Sequence, residues 1–249
     1  MIFAIPSLTF ILLWVLERIL PTVAQGQPPQ SWDKVLNGIG LFMQGCVVPG
    51  CGYLASQKIL PLLLPHWQGS LSLGWWGAFL LNIIGVDFLY YWQHRAFHRY
   101  THLWNLHKCH HASSRVDIWV TSRNSLLINF LFVYLLLNPI LAFFCDVPMG
   151  FYTGAIFTAS LDIFRHSSLD MVKILPRWIH APVSQIMVMP CQHHHHHSLK
   201  GLGSNFGANF IIWDRLFGTV ETLNSYPHQY GVVKKEHPIK QLLYPFVKK

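Results

Sequence analysis

The run LGWWGAFLLNIIGVDFLYYWQ fills residues 73–93, and His94-Arg-Ala-Phe-His98 follows at once. An α-helix of about 20 residues covers roughly 30 Å, the thickness of a bilayer's hydrocarbon core. Trp75-Trp76 open the run and Tyr90-Tyr91-Trp92 close it, where membrane spans carry interfacial aromatic belts. The stretch therefore reads as a membrane span whose end delivers histidines to one membrane face. Similar apolar runs at 1–20, 36–55, 126–145 and 147–164 make the chain an all-α integral membrane protein of four to five transmembrane helices. Residues 58–66 (KILPLLLPH) are short and proline-broken and are expected to lie in the interface. The run 126–145 is expected to kink near Asn138-Pro139.

Composition agrees. The 249 residues are 52% hydrophobic and 11% charged, against about 25% charged in soluble domains. The formal charge of +8 raises the question of nucleic acid, but no basic run interleaved with stacking aromatics is present, so nucleic acid is not an expected partner. The five cysteines form no CxxC pair and their number is odd, which fits neither a disulfide framework nor a thiolate zinc site. No Lys or Arg precedes Arg18, so the first apolar run lacks the basic start of a signal peptide. Thr22-Val23-Ala24 does resemble a cleavage site, yet a retained first span is expected.

The spans set a parity. If every histidine cluster lies on one side, the span at 73–93 exits there, and the runs at 126–145 and 147–164 leave and return. Extended backwards, this places 17 of the 18 Lys and Arg on the histidine side and only Lys58 opposite. The positive-inside rule then puts a histidine-rich helical cap in the cytoplasm, on the inner membrane of a bacterium or the endoplasmic reticulum of a eukaryote.

Three histidine clusters carry the chemistry. Helical residues three or four apart share a face. His94 and His98 are spaced i,i+4; His107, His110 and His111 are spaced i,i+3,i+4; and His193, His196 and His197 repeat that pattern. Each cluster is expected to aim its imidazoles at one point, with His166 as a further donor. Imidazole suits Zn, Cu, Fe and Ni, and so many nitrogens suit two ions. His194 and His195 point off that face and read as supporting or solvated residues. His66, His102, His180, His228 and His237 read as ordinary histidines. Asp87 is costly inside a span, and Asp87, Tyr91, His94 and His98 form one helical stripe. From there Asp87 is expected to hold a ligand imidazole by its other nitrogen.

Trp92-Gln-His-Arg-Ala-Phe-His98, Leu103-Trp-Asn-Leu-His-Lys-Cys-His-His-Ala-Ser113, Phe164-Arg-His-Ser-Ser-Leu169 and Pro190-Cys-Gln-His-His-His-His-His-Ser198 resemble the successive boxes of the fatty acid hydroxylase/sterol desaturase superfamily. Asn205-Phe-Gly207 and Trp213-Asp-Arg-Leu-Phe-Gly-Thr219 resemble its closing signature. The likeness covers about residues 73–220, leaving 1–72 as N-terminal spans with an interfacial segment and 221–249 as a basic tail of one membrane-embedded domain. After the second box many relatives carry Arg-x-His-Pro; this chain has Arg123-Asn-Ser-Leu.

The resemblance implies a non-haem di-iron enzyme that uses O2 to hydroxylate or desaturate a lipid C–H bond. It implies His94, His98, His107, His110, His111, His166, His193, His196 and His197 as iron ligands. Asp87, Tyr91 and Asp214 are expected to support them. No GxGxxG, flavin or haem signature is visible, so no organic cofactor is expected. Electrons then come from a separate donor, a ferredoxin or a cytochrome b5-like protein with its reductase, attracted by basic residues such as Arg115 and Lys173. The amphipathic stretch 206–217 is either part of the lipid entry or a docking segment under the cap. The competing classes are a histidine-rich metal carrier and a membrane protein that binds zinc for stability alone. A carrier needs ligands through its spans, which here hold little beyond Asp87.

Overall fold

A computed structural model describes residues 2–23, 28–221, 225–232 and 236–247. Ala24, the last residue of the cleavage-like sequence, lies outside them. Among the described residues the fold is helical, and extended pairing is limited to isolated bridges such as Met187 with Phe210.

Helix α1 (Ile2–Ile19) and helix α2 (Ser31–Leu63) are long and apolar enough to cross a membrane. Both turn large apolar side chains outward, among them Phe3, Leu8, Leu12, Leu62 and Leu63. A soluble surface rarely shows so continuous an apolar face. Helix α2 absorbs both the expected span 36–55 and most of the expected interfacial piece. Its two prolines explain why the sequence reads as broken. A proline lacks the N–H for the i→i−4 bond and crowds the carbonyl behind it. Here a wider π-helical stretch precedes each one, Met43–Val47 before Pro49 and Ala55–Ile59 before Pro61, and the helix runs on.

Helix α3 covers residues 74–99, with a π-helical stretch at Leu81–Val86 just before Asp87. Helix α4 (Thr101–His111) turns back across the cap. The run 126–145 is not one 20-residue helix. A short turn, Ile128–Leu131, ends at Phe132, and helix α5 (Val133–Phe144) passes through Pro139 without interruption. Its 12 residues reach only about 18 Å. Helix α6 (Pro148–His166) returns. Helix α7 (Arg177–Ile186) and helix α8 (Pro190–His196) complete the cap, and helix α9 (Ile212–Leu216) closes it.

Hydrogen bonds show which helix ends share a level. At the end away from the histidines, Gly69 N donates to Phe143 O, Leu71 N donates to Phe144 O, and the Asp146 carboxylate accepts from Leu73 N and Gly74 N. At the histidine end, Ser168 N donates to Glu17 Oε1, and Arg123 pairs with Asp33 at the start of α2. Among the described residues, these contacts gather helix ends at two levels. His94 lies 20 residues beyond Gly74, and His166 lies 18 beyond Pro148. Both are roughly 30 Å of helix from the far end.

Small residues let α3 and α6 approach. Gly150 and Gly154 make a GxxxG pair, and a Cβ on Gly150 would fall 2.2 Å from the Trp75 carbonyl oxygen. Gly45, also in a helix, has no atom within 4 Å of such a Cβ. Gly150→Ala is expected to cost about 1–3 kcal/mol by forcing the helices apart, while Gly45→Ala is neutral or slightly stabilising. Thermal unfolding of the two variants in the same detergent checks this.

Candidate metal centre

The nine histidines named from the sequence all converge beneath the cap, but they are sorted differently from the boxes. One group is His94, His98, His107, His111 and His196; the other is His110, His166, His193 and His197, with the donor atoms within each group less than 4.8 Å apart. The expectation that each box aims at one point is corrected. Box two sends His107 and His111 to the first group and His110 to the second. Box three does the converse, sending His193 and His197 to the second and His196 to the first. Helix geometry is the reason. At 100° per residue, positions i and i+4 differ by about 40°, whereas i+3 lies about 100° from i+4. The two HxxHH helices therefore interlock, each lending its odd histidine to the other's site.

The outer ring nitrogens decide what the inner ones present. His94 Nδ1 donates to Phe206 O at 2.8 Å, His110 Nδ1 to Arg123 O at 3.1 Å, His166 Nδ1 to Asp162 O at 2.7 Å and His196 Nδ1 to Ser204 O at 2.7 Å. A carbonyl only accepts, so these four rings carry their proton on Nδ1 and a bare lone pair on Nε2. Yet His94 and His196 oppose Nε2 to Nε2 at 3.1 Å, and His166 and His110 do so at 3.3 Å. Two lone pairs at that distance repel unless a cation lies between them. Each group contains one such pair, so the residues fit a metal in each. His98 fits too, since among the described residues its buried Nε2 has no hydrogen-bond partner. Burial and neighbouring imidazoles hold His107, His111, His193 and His197 well below the ordinary histidine range, and burial brings His196 down to about 3. All are neutral at pH 7, the form that ligates.

The supporting residues divide. Tyr91 and Asp214 belong to one chain of contacts. Arg95 Nη1 donates to Tyr91 Oη at 3.2 Å, Tyr91 Oη meets Thr219 Oγ1 at 2.9 Å, and Thr219 Oγ1 donates to Asp214 Oδ1 at 2.7 Å. Asp214 also accepts from Phe206 N and Gly207 N, at 2.7 and 2.8 Å. Since Phe206 O accepts the hydrogen bond from His94 Nδ1, Asp214 orients that imidazole through one peptide unit. Burial raises the Asp214 carboxyl to about 6. Asp87 behaves otherwise. Among the described residues it hydrogen-bonds no imidazole, and instead accepts from Tyr134 Oη, Asn209 N and Trp213 Nε1 at 2.6, 2.9 and 2.8 Å. The expectation that it holds a ligand ring is therefore corrected: it joins α3 to α5 and to the closing segment.

His194 and His195 are not solvated. His194 is fully buried, bonded to Ser167 O and Tyr230 Oη at 2.9 Å each, and His195 lies 2.9 Å from Glu221. His102 stays exposed. Arg115 and Lys173, the cations expected to attract a donor, are each paired, with Asp117 at 2.7 Å and Asp170 at 3.0 Å. In the stretch 206–217, Phe206, Ala208 and Ile211 are buried, whereas Leu216 is exposed. Sequence reasoning missed Asp162, whose i,i+4 spacing to His166 was the available signal, and Arg165 beside it. The ion pair between them is 2.6 Å long.

Residues 79–219 match the model of the fatty acid hydroxylase family. The chain belongs to that family. Human alkylglycerol monooxygenase is 28% identical over 92% of this chain and 49% of its own length. The ornithine lipid hydroxylase OlsE of Rhizobium tropici is 30% identical over 56% of the chain and 40% of its own length. A fatty acid hydroxylase of a Lecanicillium species is 32% identical over 59% and 44%. The chain thus spans about half or less of the length of these curated relatives. No solved structure matches it significantly. Every box quoted from the sequence, and all nine converging histidines, fall inside the fatty acid hydroxylase match.

Proposed function

We propose that this chain is a membrane-embedded oxidoreductase that hydroxylates, or desaturates, a lipid with O2 at two iron ions. His94, His98, His107, His111 and His196 hold one ion, and His110, His166, His193 and His197 hold the other. The observation that carries this reading is the pair of opposed Nε2 lone pairs in each histidine group. The family and the names of its relatives support a lipid as substrate.

In this reading α1, α2, α3 and the α5–α6 pair lie in the membrane, with α5 too short to cross it alone. Residues 73–220 form the histidine core, 1–72 the N-terminal spans and 221–249 a basic tail. The charge asymmetry supports a cytoplasmic cap. Iron bound there supplies the O2 activation that an unreactive C–H bond requires. The chain's own part is to gather nine buried or half-buried imidazoles, to fix four of them by backbone carbonyls, and to exclude water by burial. Hydroxylation puts one oxygen atom into the lipid and releases the other as water, taking two electrons and two protons. A ferredoxin or a cytochrome b5-like protein with its reductase delivers the electrons. With Arg115 and Lys173 already paired, other exposed cations must guide it.

The test is metal analysis of protein purified from iron-replete cells, joined to lipid profiling of cells with and without an active copy. The expected result is about two irons per chain and a lipid that gains one oxygen or loses two hydrogens. Tight zinc and an unchanged lipid profile, with iron supplied throughout, would overturn the reading in favour of a carrier or a structural zinc protein.

A further inference from the structure

Helix α3 turns Trp76, Leu80, Ile84, Leu89 and Trp92 outward, an apolar face along its length. Arg95 and Arg99 follow where that face ends. Arg95 lies 19 residues beyond Trp76, roughly 30 Å of helix. With α3 in the bilayer, both guanidinium groups stand at the level of the lipid head groups. Together with Trp92 they line a pocket of about 490 Å³ that reaches His98. Of the nine converging histidines, His98 is half-exposed and the other eight are buried.

The pocket is positive and uncompensated. Among the described residues, the Lys and Arg side chains in ion pairs are Lys108, Arg115, Arg123, Arg165 and Lys173. Arg95 and Arg99 are not among them. Arg95 Nη1 donates to Tyr91 Oη at 3.2 Å, and its guanidinium lies 5.5 Å from the centre of the Trp92 ring. These contacts orient the group without neutralising it. Among the described residues no carboxylate lines the pocket. Asp214 is linked to Arg95 only through Tyr91 and Thr219, and its oxygens accept from Thr219 Oγ1, Phe206 N and Gly207 N. A metal ion in the first histidine group adds positive charge at the inner end.

Charge and level together name the occupant. Guanidinium groups bind phosphate through paired N–H donors, and basic residues at a membrane surface attract anionic lipids. A phosphate free in water shares that chemistry but makes no use of the apolar face below. We propose that Arg95 and Arg99 hold the phosphate of an anionic phospholipid, with its head over the exposed edge of His98 and its acyl chains along Trp92 and Leu89. Those chains run away from the histidines, so this is a resident lipid, separate from the one oxidised. The inference rests on the reading of α3 as a membrane helix and not on the oxidation chemistry.

The experiment titrates the iron-loaded protein in nonionic detergent, without O2 or reductant, and reads lipid retained per chain by native mass spectrometry. The probes are dioleoylphosphatidylglycerol, dioleoylglycerol and inorganic phosphate. The phospholipid is expected to bind at least about tenfold tighter than dioleoylglycerol, the scale of one hydrogen bond to a charged group. Arg99→Gln alone should weaken it several-fold, and Arg95→Gln with Arg99→Gln should erase the preference while iron content and thermal midpoint hold. Arg177→Gln removes another exposed cation of the cap and should leave the preference intact. Equal retention of the two lipids, an equal loss in Arg177→Gln, or displacement of the phospholipid by millimolar inorganic phosphate would overturn the proposal. If the double variant loses iron or stability, Arg99→Gln alone carries the criterion, since Arg99 is exposed. When O2 and reductant are then supplied, the retained phospholipid should keep its mass; a gain of one oxygen would overturn its resident role. Retention without any lipid oxidation in the cell assay counts against the oxygenase reading alone, and oxidation without retention counts against this inference alone.

Discussion

His196→Ala and His193→Ala are expected to empty different metal sites, although the two residues stand three apart in one box. His196 belongs with His94, His98, His107 and His111, while His193 belongs with His110, His166 and His197. Each variant should hold about one iron where the parent holds about two, and each should lose lipid turnover by more than about a hundredfold, since even residues that merely orient ligands are worth 10–100-fold. The stoichiometry alone does not separate the sites; a second substitution does. His196→Ala combined with His94→Ala removes two donors from one group and should still leave one iron. His196→Ala combined with His166→Ala strikes both groups and should leave almost none. If each box instead served its own ion, His196→Ala with His193→Ala would damage a single site and leave one iron; the interlocked arrangement predicts loss from both. Metal analysis on the double variants, with a thermal scan to show that the chain remains folded, decides between the two.

That interlock marks the limit of what the sequence could say. The spacing of His107, His110 and His111 was legible, because helical periodicity is local. Which ion each ring serves was not, because the odd histidine of one helix is claimed by the other helix, and that is a tertiary fact. The same holds for the four outer partners. Phe206, Arg123, Asp162 and Ser204 act through backbone carbonyls, and a carbonyl has no residue identity to read. Parity grouped segment ends together, and the helix-end contacts join Glu17 to Ser168 and Asp33 to Arg123 in the same grouping. The length of α2 was not, because Pro49 and Pro61 read as breaks until π-helical stretches are seen to accommodate them. Asp87 was rightly singled out as costly, but its stripe with His94 and His98 pointed to the wrong partner. A helix face specifies neighbours along the helix, and Asp87 answers to donors from outside it.

Asp87 is therefore expected to govern stability rather than metal. Its carboxylate is wholly buried and takes three donors from three places: Tyr134 on α5, Asn209 ahead of α9 and Trp213 within it. Asn209 in turn reaches Thr158 on α6 at 2.8 Å, so one carboxylate underlies the joint of four elements. Asp87→Ala strands all three donors in a dry interior, at about 1–3 kcal/mol each. This variant is expected to be largely unfolded or poorly inserted. Asp87→Asn is the informative change. It keeps Oδ1, which serves both Tyr134 and Asn209, and turns an amide toward Trp213 Nε1, so one bond of three is lost. The expected cost is about 1–3 kcal/mol, with iron still bound at the parent's level. Had Asp87 held a ligand imidazole, the same amide would weaken iron binding by 10–100-fold with a much smaller effect on unfolding. A thermal scan and an iron titration on Asp87→Asn separate the two roles. Loss of iron at an unchanged thermal midpoint would return Asp87 to the metal site.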